Sequence, residues 1–113
     1  MNTKLNKILA EISAGELIDK ITILEIKKMK ISNKDKLVEV EKELNSLNET
    51  MKKFIPDNSE ISKFKNNLKD INLKLWDIED GKRSAEKNNN FGEEFVELAR
   101  KVYKFNDERA KIK

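Results

Sequence analysis

Two carboxylates stand where packing alone would place apolar side chains. At helical spacing, Asp19 projects between Ile23 and Ile26, and Glu25 between Ile18 and Ile21. A carboxylate among apolar neighbours is costly unless it is paired or hydrogen-bonded, so each needs a partner elsewhere in the chain. The last segment offers candidates: Asn106 and Arg109 lie on its apolar stripe, with Tyr103, Asp107 and Ala110 beside it. In an up-and-down bundle Glu16 and Asp19 face Asn106 and Arg109, and Asp19 pairs with Arg109. A second cluster, Asn72, Trp76, Glu79, Asp80 and Arg83, shares one side of a later helix, with Lys20 and Lys27 expected to approach it.

Acid and base groups around Trp76 or Tyr103 would suit a pocket for a small anionic, nucleotide-like or sugar-like ligand. Arg83, Arg100 and Arg109 keep open a helical mutase that holds a dicarboxylate. A magnesium-dependent nucleotide pyrophosphatase needs paired E-x-x-E spacings, and only Glu94 and Glu97 keep that relation with a sensible face. With no cysteine and no histidine there is no thiol nucleophile, histidine base, disulfide or usual zinc site. No metal or cofactor is expected. The plainer reading of both clusters is structural: an ion pair that fixes helix register, and a packed Trp76 with its indole nitrogen satisfied.

The elements that position these groups follow from periodicity. Leu37, Val40, Leu44, Leu47, Met51 and Phe54, then Ile61, Phe64, Leu68, Ile71, Leu75 and Ile78, each keep a 3,4,3,4,3 spacing that lines one face of a helix. The only proline, Pro56, lies between them and predicts the turn of a long antiparallel hairpin, helices about 35–55 and 59–83. Such a hairpin does not close a core by itself, so helices about 14–30 and 91–112 pack on it in a bundle-like all-α fold.

Ser13 and Glu16 form a capping box ahead of the first of these, Ser32 to Asp35 restarts the chain as the second, and Ser59 or Asn58 caps the third. The third frays after Arg83, and Glu86 to Asn90 is a loop. The fourth repeats the stripe with Phe91, Phe95, Leu98, Val102 and Phe105. Residues 1–12 form a short extended arm or an extra helical turn. The first helix is apolar on two sides: Leu17, Ile21, Leu24 and Ile31 form one arc, and Ile18, Ile23, Ile26 and Met29 the other. Such a helix is buried between neighbours or lies at a subunit interface.

A length of 113 residues makes one domain, 1–113. The 40% charged content suits long solvent-facing helices. The net charge of +3 comes mainly from lysines mixed with acids, without a basic block, so a nucleic-acid partner is not expected. No apolar run approaches a membrane span and no signal peptide is visible, which points to the cytoplasm.

Three segments, Gly15 to Lys27 (GELIDKITILEIK), Leu75 to Asp80 (LWDIED) and Phe95 to Tyr103 with Asn106 to Ala110, together resemble a family of short helical proteins from bacteria and bacteriophages, a domain of unknown function. The resemblance spans about Ile8 to Lys113 and implies a small soluble helical protein; it brings no activity. The resulting expectation is a non-enzymatic interaction or oligomerisation module. Its partner is a second copy, most simply in a dimer, or another protein. The alternative is a ligand-binding or catalytic bundle.

Overall fold

The computed structural model describes residues 8–113. Four helices follow one another, α1 (Ala14–Lys30), α2 (Lys34–Phe54), α3 (Ser59–Lys87) and α4 (Glu93–Ile112), and no strand occurs among the described residues. Of the arm, 1–7 lie outside the described residues; 8–13 are neither helix nor strand.

The starts are set by side-chain caps. Ser13 Oγ accepts from the Glu16 amide at 3.1 Å, Asn33 Oδ1 from the Asp35 and Lys36 amides, and Asn58 Oδ1 from the Ile61 amide at 2.9 Å. The Glu16 carboxylate does not complete a capping box, because it bonds Lys113 instead. α3 runs on past Arg83 to Lys87 and ends in a turn where Asn89 takes a left-handed φ of 55°. The loop before α4 is correspondingly shorter than the spacing suggests.

The all-α, bundle-like architecture stands, with one change of packing partners. α1 packs on α2 and on α3, and α3 packs on α4. α2 and α3 succeed each other across the Pro56 turn, yet α1 is inserted between them, so the spatial order is α2–α1–α3–α4. The reason lies in the two apolar arcs of α1. Leu17, Ile21 and Leu24 form a cluster with Val40 and Leu44 of α2, which Ile31, Leu47, Met51 and Ile55 extend. On the other arc Ile18 and Ile26 are each only 1% exposed. α3 completes the core with Leu68, Ile71, Leu75 and Ile78, all buried.

Direction follows from end contacts. α1 begins with Gly15 beside Phe64 and nears its end with Lys30 paired to Asp77 at 3.7 Å, so α1 and α3 run the same way. α4 runs back along α3, its Leu98 lying against Gly81 and its Arg109 against Asn72. No residue of α4 is fully buried. The molecule is a flattened open row, 47 × 44 × 24 Å.

Candidate functional site

Asp19 lies on the side of α1 that meets α3 and is 4% exposed. Asn72 of α3 donates both amide hydrogens across that seam, to Asp19 Oδ1 at 2.8 Å and to Thr22 Oγ1 at 2.9 Å. Thr22 in turn donates to the Asp19 carbonyl at 2.7 Å, the short-range bond a threonine hydroxyl makes within its own helix. The Asn72 oxygen points the other way and accepts from Arg109 of α4 at 3.2 Å. Three buried polar groups, one from each of three positions on two helices, are thereby satisfied together.

The charge of Asp19 is met from the end of the chain. Lys113 Nζ lies 2.7 Å from Glu16 Oε1 and 3.4 Å from Asp19 Oδ2. The hydrogen bond to Glu16 is the main cause that raises the Lys113 ammonium above its ordinary pKa; burial opposes it and the Asp19 charge adds to it. The expected Asp19–Arg109 ion pair is therefore replaced by a relay: Asp19 shares Lys113 with Glu16, and Arg109 reaches it only through Asn72.

The two clusters read from the sequence thus meet at Asn72. Asn72, Trp76, Glu79 and Arg83 lie at 4,3,4 spacing, a second stripe on α3 beside its apolar one. With Leu75 of α3, Ile23 and Ile26 of α1 and Arg109 of α4, they line a cleft of about 240 Å³. Trp76 is half-buried there.

The remaining candidates disperse. Glu25 finds its partners on α3 rather than α4, with Lys65 Nζ at 3.0 Å and Lys69 Nζ at 3.5 Å. Its Oε1 is buried and accepts no hydrogen bond among the described residues, so only the Lys69 charge holds it. Lys20 is exposed. Lys27 sits at the α1–α2 seam near Ile31 and Val40 instead of approaching the α3 cluster. Asp80 pairs with Arg83 at 2.9 Å, and Arg100 with Glu97 at 3.2 Å, both on open surface. Tyr103 is 78% exposed, and Asn106 is half-buried one turn before Arg109.

Sequence reasoning places Asn72 only in the second cluster and omits Lys113 and Thr22. Asn72 carries a visible signal: it is the polar residue among Leu68, Ile71 and Leu75. Lys113 carries none, because one terminal lysine among many has no distinguishing neighbour.

Chemically the arrangement binds charge. Its acids each lie against a lysine or an arginine, Glu16 and Asp19 sharing Lys113, and no group of three or more metal-ligating side chains occurs among the described residues. Arg109 alone faces a cleft with a neutral partner. No described helix is long and apolar enough to cross a membrane.

These features define a small all-α protein: an open four-helix row with a buried polar seam and a cleft beside it. Its sequence fits a single family model over 8–113, and the chain belongs to that family, the family of unknown function DUF6165. No curated protein and no solved structure matches the chain.

Proposed function

We propose that the chain is a non-enzymatic self-association module whose partner is a second copy of itself. The open row carries this reading: each end helix packs on one neighbour, and nothing brings α2 and α4 together to close a core. A compact monomer of 13.2 kDa exposes about 6,400 Å². This chain exposes 8860 Å², an excess well above the ~800 Å² per partner that a stable interface buries.

Part of that excess is apolar and lies in one segment. Ile8 and Leu9 are almost fully exposed and Ile12 is half exposed, three large aliphatic side chains within five residues just ahead of α1. A monomer has no reason to hold them in water, whereas a second copy covers them at a gain of roughly 1.5–3 kcal/mol each. Closed two-fold symmetry is the simplest assembly that uses the same surface twice.

Light scattering coupled to size exclusion tests this. The expected mass is twice 13.2 kDa, falling to the single-chain value when Ile8→Asp and Leu9→Asp are combined. A 13.2 kDa mass for the unaltered chain at about 100 μM overturns it.

A further inference from the structure

We infer that the cleft between α1, α3 and α4 binds a small organic anion: one carboxylate or phosphate group carried on a flat ring. Arg109 and Arg83 hold the anionic group, Trp76 lies against the ring, and Ile23 and Ile26 form the apolar floor.

Among the described residues Arg109 has no direct ionic partner. A guanidinium has five N–H donors in a planar fork suited to carboxylate or phosphate, and a partly buried one is normally paired. Among the described residues Arg109 makes one side-chain hydrogen bond, to the neutral oxygen of Asn72, and no ion pair. The seven residues outside that range, Met1 to Lys7, contain no acid. Asp19 does not pair with it directly: Asn72 stands between the two, and the direct cation of Asp19 is Lys113, which it shares with Glu16. Asn72 fixes one edge of the Arg109 fork and leaves the rest facing the cleft.

The second cation is poised to join it. Arg83 lines the same cleft and, among the described residues, is tied only to Asp80, in an exposed i,i+3 pair that is weak in water and screened by salt. Trp76 lines the cleft beside Leu75, Ile23 and Ile26, the surroundings in which an aromatic or conjugated ring stacks. Glu79 adds a carboxylate to the lining; its nearest cation is Lys82 at 3.9 Å. A ring that carries a hydroxyl or amino group satisfies Glu79 as hydrogen-bond donor, while a bare anion meets its repulsion. A volume near 240 Å³ is below the usual 300–1,000 Å³ of drug-sized sites, so one ring fits and a dinucleotide does not. The site is independent of self-association, whose proposed contact lies in the arm.

Trp76 is the only tryptophan, so its emission reports this cleft without labelling. Titration with para-hydroxybenzoate, with uridine monophosphate and with inorganic phosphate separates the possibilities. The expected result is a saturable change with one of the two ring-bearing anions, half-complete below about 1 mM. Stronger binding of the benzoate assigns a carboxylate ligand, and of the nucleotide a phosphate.

Arg109→Gln raises the half-saturation at least about tenfold, whereas Arg100→Gln, outside the cleft, leaves it unchanged. Because Arg109 touches the buried seam, Arg83→Gln serves as a second variant on open surface, with an expected loss of about threefold. No saturable change with either ring-bearing anion up to about 10 mM overturns the inference. So does an unchanged half-saturation in both cleft variants, and inorganic phosphate binding as tightly as the ring-bearing anions removes the ring from it.

Discussion

Asn72 stands 2.8 Å from Asp19 across the α1–α3 seam, and their separation of 53 positions in sequence makes this one of the longest-range hydrogen bonds in the described fold. It is also a shared one. The same amide group holds Thr22 with its other hydrogen and Arg109 with its oxygen, so each polar group at the centre depends on Asn72.

Loss of either side of this bond leaves a buried group without its partner. Asp19→Leu and Asn72→Leu are each expected to cost about 2–4 kcal/mol in urea melts. The double substitution costs less than their sum by more than ~1 kcal/mol, because neither of the two groups then leaves the other unpaired, while Thr22 and Arg109 lose Asn72 in the Asn72→Leu single and in the double alike. The corresponding cycle of Asp19 with Arg109 gives a smaller coupling, since a neutral amide separates the two. Equal couplings, or an Asp19–Asn72 value under ~0.5 kcal/mol, contradict the relay.

The Lys113 contact predicts an alkaline limb of stability. Its folded pKa lies above the ordinary 10.5, mainly through the Glu16 hydrogen bond. A base of this kind contributes fully at any pH below the unfolded value, and the contribution disappears as pH rises through the higher folded one. The stability difference between the unaltered chain and Lys113→Met is therefore constant up to about pH 10 and shrinks above it. Taking the difference cancels the other lysines. A difference that grows with pH would show that the contact does not favour the charged form.

The central place of α1 predicts that both of its arcs matter. Ile18 and Ile21 face opposite neighbours and are 1% and 0% exposed. Truncation of either to alanine is expected to cost about 2–4 kcal/mol. Phe54, on the same apolar stripe as Val40 and Leu44, is 77% exposed, and its truncation is worth under ~0.5 kcal/mol. Thermal or urea unfolding of the three variants ranks them directly; a costly Phe54 with a cheap Ile18 reverses the order of packing.

Helix number, most helix starts and the two-sided character of α1 are readable from spacing alone, because periodicity and caps are local, whereas the end of α3 at Lys87 lies beyond its last stripe residue and carries no such signal. The partner of each stripe is not. The stripe from Leu37 to Phe54 and the one from Ile61 to Ile78 present interchangeable aliphatic surfaces, and either suits the other as well as it suits α1. Two apolar arcs on one helix decide the matter, since only insertion between α2 and α3 covers both. The candidate site divides in the same way. That Asp19 needs a partner is legible from its neighbours, and so is the shared side of Trp76 and Arg83. The identity of that partner is not, because an asparagine from a separate helix and a lysine beyond the last turn satisfy it equally well in the language of pairing.

α4 is held to α3 along one side, has no fully buried residue, and ends on two cations that reach into the seam. Its amide hydrogens are consequently the ones that exchange through the cheapest opening, as a unit that detaches while the α2–α1–α3 layer stays formed. Detachment withdraws Arg109 from Asn72 and Lys113 from Asp19 at the same moment, and water enters to solvate the abandoned carboxylate. The last helix is thus a latch on the polar seam of the first, and slow exchange in α4 reports that Asp19 is still covered.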